Sequence, residues 1–135
     1  MKKIIIDTNW WVSFIISKKS DGLPAFFFED IFFCFSPDLT DEIKNTLQYT
    51  RIAKRINQRN LEAYNFFEKN VAMFFSPAET ITICRDPKDN FLLALAKDAG
   101  ADYLITRDED LLTIKQFEKT IILTLEDFIR AINKT

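Results

Sequence analysis

The sequence of 135 residues predicts one α/β domain over residues 1–135, a three-layer α/β/α sandwich around a mostly parallel sheet of about five strands. Three observations predict it. Short apolar runs recur at Ile4–Ile6, Phe32–Phe35, Thr80–Cys84, Tyr103–Thr106 and Thr120–Leu123. Segments of helical spacing alternate with them. No internal repeat, low-complexity tract or interdomain linker divides the chain.

Ile4–Ile6, with no polar alternation, suits a strand buried on both faces at the centre of a parallel sheet. It ends at Asp7, and Asp7-Thr8-Asn9 supplies capping residues for a buried helix over Trp10–Ser17. A turn at Ser20-Asp21-Gly22 leads to a short helix over Leu23–Asp30. Phe32–Phe35 closes at Ser36-Pro37, a helix start with proline in the first turn. Leu39, Ile43 and Leu47 then form one apolar stripe at i, i+4 and i+8. After a basic stretch with Arg51, Lys54, Arg55 and Arg59, helical spacing resumes at Leu61, Tyr64, Phe67 and Val71. A helical hairpin inserted between strands is expected there.

Thr80–Cys84 carries β-branched residues and runs into Arg85-Asp86. A helix over Asn90–Asp98 stops at Gly100, which suits the left-handed position beyond a helix C-terminus. Tyr103–Thr106 is followed by a helix over Glu109–Phe117, then by the last strand. Thr124 and Asp127 have the spacing of a capping box for a helix over Leu125–Asn133.

Composition limits the chemistry. The chain has no histidine, which removes the commonest general base, the usual zinc ligand and any Ser/His triad. The formal charge of −2 and pI of about 5.2 argue against a passive basic nucleic-acid binder. Cys34 and Cys84 lie far apart in apolar runs, as buried thiols in a reducing compartment do. No apolar run approaches the ~18 residues of a membrane span, and MKKIII meets Asp7 too early for a secretory signal. A cytoplasmic location without membrane association is expected.

The stretch 85–110, RDPKDNFLLALAKDAGADYLITRDED, organises the rest. Asp86 and Asp89 precede its helix; Asp108 and Asp110 follow its strand. Parallel sheets place ligands at the C-terminal ends of their strands, where Asp7, Asp89 and Asp108 all fall. Taken singly, Asp7 and Asp89 are helix caps, Glu42 a solvated helix position and Asp108 a loop residue. Taken together they would repel and raise one another's pKa unless a divalent cation intervened. Oxygen-only ligation favours Mg²⁺ or Mn²⁺, which activates water and neutralises charge on a phosphodiester. No serine, threonine or cysteine has an evident activating partner.

DTN at 7–9, LTDEI at 39–43, RDPKDN at 85–90 with FLLALA after it, and LITRDEDLL at 104–112 occur in this order over essentially the full chain. With these motifs the sequence resembles the PIN-domain ribonucleases, and more narrowly those grouped as toxins of toxin–antitoxin systems. The resemblance implies a PIN sheet, metal-dependent endonucleolytic RNA cleavage and neutralisation by a protein antitoxin. It places catalytic and metal-binding roles on Asp7, Glu42, Asp89 and Asp108, with Asp110 as a further metal ligand and Asp86 a less favoured one. Asn9 and Thr106 would orient these ligands. Between the adjacent Asp41 and Glu42, the motif favours Glu42.

Other features have two readings. Trp10 and Trp11 suit core packing or base stacking, and the basic run suits a solvated face or RNA phosphates. An aromatic patch around Phe26–Phe28 or Phe74-Phe75 would accept an antitoxin helix or a second protomer of a homodimer. The alternative to a nuclease is a PIN-like RNA- or protein-binding module without catalysis. A phospho-accepting receiver domain fits poorly: Thr8-Asn9 stand where its second acidic residue belongs, and the last strand runs into Thr124-Leu125 without a lysine.

Overall fold

The computed structural model describes residues 2–18, 27, 30–77 and 89–133. Strand β1 (Lys2–Ile6) leads into helix α1 (Thr8–Ile15), and β2 (Ile31–Phe35) into α2 (Pro37–Leu47), α3 (Thr50–Ala53) and α4 (Gln58–Asn70). Then follow β3 (Met73–Phe74), α5 (Asn90–Ala99), β4 (Tyr103–Ile105), α6 (Glu109–Leu112), β5 (Gln116–Phe117), β6 (Thr120–Leu123) and α7 (Leu125–Asn133). The sheet order is β3-β2-β1-β4-β6-β5, parallel throughout except for the β5–β6 pair.

Strand register decides which side chains share a layer. Ile4 lies opposite both Phe33 and Tyr103, so the alternating set Ile4, Ile6, Phe33, Phe35, Tyr103 and Ile105 shares one face. Trp11 of α1 and Phe67 of α4 pack on Phe35, and Phe128 of α7 packs on Tyr103. Lys3 belongs to the opposite set, and its Nζ reaches the Ala99 carbonyl at the end of α5. That places α5 on the second face, where it packs against β1 and β2. The three layers are those the sequence predicts.

Trp11 is the centre of the first layer. It is fully buried, touches the rings of Phe27, Phe35, Tyr64 and Phe67, and donates Nε1–H to the Ile6 carbonyl at 3.1 Å. Of its two readings, core packing holds. Trp10 is half-buried and stacked on Phe14 and Phe27. The end of α1 is tied to α4 by two asparagines. Asn57 Nδ2 donates to Ser17 O, and Asn60 Nδ2 to Phe14 O, so carbonyls left over by α1 find donors.

The helix starts follow the capping signals. Ser36 accepts from the Leu39 amide with Pro37 in the first turn, and the Thr124 hydroxyl accepts from the Asp127 amide. Gly100 closes α5 at φ 63. Two expectations change. The segment after Asp108 is helical only to Leu112; Lys115 and Glu118 take positive φ, and Gln116–Phe117 turns back to pair with β6. The insertion after β2 holds three helices rather than a hairpin, and Val71 caps α4 with 47% of its surface exposed instead of joining its apolar stripe. Among the described residues the sheet has six strands, in keeping with the mostly parallel sheet of about five expected, because β3 and β5 each add two residue pairs at its edges. The strand expected at Thr80–Cys84, Asp86 and most of the helix expected over Leu23–Asp30 lie outside the described residues; Phe27, from that helix, is buried in the core.

Tyr64 is 1% exposed and its hydroxyl has no hydrogen-bond partner among the described residues. A buried hydroxyl left unpaired costs on the order of 1–3 kcal/mol. Urea unfolding should therefore find Tyr64→Phe as stable as the parent or more stable, whereas Trp11→Ala, which empties the cluster's centre, should lose about 3–5 kcal/mol.

Candidate metal centre

The strand order runs outward from β1 through β2 to β3, then returns to β4 on the other side of β1. The sheet's switch point therefore lies at the C-terminal ends of β1 and β4, where open α/β sheets leave a crevice for ligands. Ile6 pairs with Ile105, so Asp7 and Thr106 leave their strands side by side. The ladder continues one step: the Asp7 amide donates to Ile105 O and the Thr106 amide to Leu123 O, both at 3.0 Å.

Asp7 is 6% exposed. Its Oδ1 accepts from the Thr8 amide at 2.6 Å and its Oδ2 from the Thr106 hydroxyl at 2.7 Å. Thr106 Oγ1 in turn accepts from the Asp108 amide at 3.0 Å. Asp108 begins α6, its Oδ1 accepting from the Asp110 amide at 2.8 Å. One threonine hydroxyl thus fixes the Asp7 carboxylate against the loop that carries Asp108. Asp89 holds the N-cap position of α5 without a side-chain hydrogen bond that caps it.

Asp89, Asp108 and Asp110 are half-buried and offer carboxylate oxygens within 4.8 Å of one another. Burial raises the pKa of Asp7; the bonds from Thr106 and Thr8 oppose the shift and the charge of Asp108 adds to it. A crevice of about 10 Å³, roughly one water in size, lies beside it between Asn9, Trp10, Thr106 and Arg107. Thr8, next in sequence, is buried with its hydroxyl unpartnered among the described residues.

Glu42 is not part of the three-carboxylate group. It is half-buried on α2 and faces an open groove of about 540 Å³ that reaches Phe91 in the first turn of α5, two residues beyond Asp89. Asp38 and Asp41 line the same groove, so the adjacent acids 41 and 42 share a surface. Asp38 is a further acid of this groove that lies outside the motifs. Its signal was the polar stripe Asp38, Asp41, Glu42 and Asn45, opposite the apolar stripe Leu39, Ile43 and Leu47. Cys34 is buried and free, its thiol pushed up to about 11 by burial, against the effect of Lys3 and with that of Asp102. A thiol in that state is inert packing material.

An open α/β sheet with carboxylates gathered at its switch point is the arrangement of a nuclease-like fold, and comparison with known proteins agrees. The chain matches the PIN domain over residues 3–110 and belongs to that family. An uncharacterized protein of Methanocaldococcus jannaschii is 28% identical over 124 residues, which cover 87% of this chain and 77% of that one. No solved structure matches the chain with significance. Among the described residues, no helix is long and apolar enough to cross a membrane.

The raised pKa of Asp7 sets a pH dependence for the metal-free protein. Between the ordinary carboxylate value and its own higher one, the folded chain keeps a proton that the unfolded chain has lost. This contribution to stability is full below about pH 4 and is lost as pH rises through the folded value. Thermal melts in EDTA should find Asp7→Asn more stable than the parent at pH 7, with the difference shrinking toward pH 4. An Asp7→Asn protein less stable at both pH values would contradict the buried charge.

Proposed function

We propose that this chain is a divalent-metal-dependent endoribonuclease that hydrolyses RNA phosphodiesters, and that it is the toxin of a toxin–antitoxin pair acting in the cytoplasm. The observation that carries the nuclease reading is the meeting of Asp89, Asp108 and Asp110 oxygens within 4.8 Å beside the buried Asp7. The donor set fits a hard cation: carboxylate oxygens alone, half-buried, on positions set by strand ends and helix starts. Asp7, Asp89, Asp108 and Asp110 would hold it, and Glu42 would act from the neighbouring groove. When bound, Mg²⁺ or Mn²⁺ makes a water acidic enough to attack at neutral pH and offsets charge on the phosphoryl oxygens.

The chain's own residues supply geometry and charge. Thr106 holds the Asp7 carboxylate in one orientation while accepting from the Asp108 amide, so the two acids cannot move independently. Partial burial of the carboxylates keeps their field from being screened by water. The toxin role, with a protein antitoxin as partner, rests on the resemblance of the ordered motifs.

Digestion of RNA in Mg²⁺, Mn²⁺ or EDTA tests the reading. Cleavage should need the ion and fall to the EDTA background in Asp7→Asn and in Asp89→Asn, with both variants folded. Thr106→Val should lose about 10–100-fold in activity or metal affinity. Cleavage retained by both aspartate variants, or no Mn²⁺ binding by calorimetry at millimolar metal, would overturn it in favour of a binding module without catalysis.

A further inference from the structure

We infer that the groove beside the carboxylates is a subsite for one nucleobase of single-stranded RNA, stacked on Tyr49, with the adjoining phosphates held by Arg51, Lys54 and Arg55. The inference takes its substrate class from the nuclease reading. Its evidence is separate. Asp38, Asp41, Glu42, Asn45 and Tyr49 line the groove along one side of α2 and just past it, and Phe91 of α5 stands at its other wall.

Tyr49 is 62% exposed, although a ring of that size ordinarily finds cover. Its backbone is held firmly. Its amide donates to Thr46 O, and its carbonyl accepts from the Ile52 and Ala53 amides at 2.8 Å. A large flat face on a fixed backbone, open to solvent at the mouth of a groove, is what base stacking needs. The Asn45 carboxamide has no hydrogen-bond partner among the described residues, so it is available to a base edge.

Charge decides how a strand would run. Asp38 and Asp41 make the groove unfavourable for a phosphate, so the base enters and the backbone passes outside. Directly after Tyr49, Ile52 and Ile56 turn toward the core, which leaves Arg51, Lys54 and Arg55 exposed. Lys44, Lys97, Lys119 and Arg130 each have a carboxylate partner. Arg51, Lys54 and Arg55 have none among the described residues. Three unpaired cations beside an exposed aromatic match the stacking platform and charged track that single strands require.

The test is fluorescence anisotropy with a labelled single-stranded RNA octamer in EDTA, where binding is read without cleavage. Tyr49→Ala should weaken binding about tenfold or more, and Tyr49→Trp should retain it. Replacing Arg51, Lys54 and Arg55 together by glutamine should lower the slope of log affinity against log salt by about 2. Duplex RNA of the same sequence should compete poorly. No octamer binding by the parent protein, unchanged affinity in Tyr49→Ala, an unchanged salt slope in the triple variant, or equal competition by duplex would each overturn the inference. Tyr49-dependent binding by a protein that never cleaves would overturn the nuclease reading alone, and unchanged binding in Tyr49→Ala by a protein that cleaves would overturn this one alone.

Discussion

The hydrogen bond from the Thr106 hydroxyl to Asp7 Oδ2 joins the fold to its site. It exists because β1 and β4 are parallel neighbours in the register Ile6–Ile105, which brings the residues after each strand level with one another. The ladder extends past the strands through the amides of Asp7 and Thr106, so sheet geometry positions these side chains instead of loop conformation. Sites built on regular elements hold their geometry more closely than sites on loops. A slip of one residue would turn the buried Ile4 and Ile6 to the opposite face and separate Asp7 from Thr106. The register of β1 against β4 is thus what keeps Asp7 beside Thr106.

Two aspartates of this sheet show what the protein supplies and what it leaves out. Asp102 lies at the N-terminal end of β4. Burial acts to raise its pKa, but the Lys3 amide and the Lys119 ammonium outweigh it, and the value falls below the ordinary one. Asp7, at the C-terminal end of β1, receives two hydrogen bonds and no ion pair among the described residues, and its pKa rises. The structural aspartate has its countercharge built in. The other sits near Asp108 with less compensation than its burial demands, the kind of deficit a bound cation removes. The energetic conflict is local to the strand ends where the other carboxylates gather.

The architecture was legible wherever short-range patterns decide it. Ile4–Ile6 running into Asp7, the Ser36-Pro37 start, Gly100 and Thr124 all mark boundaries found in the structure. The short β5 was not legible. Its turn places Lys115 and Glu118 at positive φ, where no glycine or asparagine announces it, and only pairing with β6 holds it there. The two residues of β3 likewise exist through pairing with Cys34 and Phe35, which lie far back in the chain. At the site, the strand ends and helix starts that carry Asp7, Asp89, Asp108 and Asp110 are marked in the sequence, whereas the distances between their oxygens are not. That Asp110 joins Asp89 and Asp108, while Glu42 faces a groove with Asp38 and Asp41, depends on how α2 and α5 sit against the sheet. Strand-end logic reaches one layer, and helix placement belongs to the packing of Trp11, Leu39 and their neighbours.

An acidic chain is an unusual candidate for work on a polyanion, and the resolution lies in where charges sit. A net charge of −2 spread over the molecule is screened beyond a Debye length of about 8–10 Å. What an RNA strand meets is the local pattern. Several cations are neutralised in place, as Lys44 is by Glu68 and Lys119 by Asp102. The cations of α3 and the turn after it have no such partner among the described residues, and they follow an exposed aromatic that borders the acidic groove. Negative charge is concentrated where carboxylates gather, and positive charge without a carboxylate partner among the described residues lies along the neighbouring turn. The pI averages these two surfaces into one value and so hides the separation of charge between them.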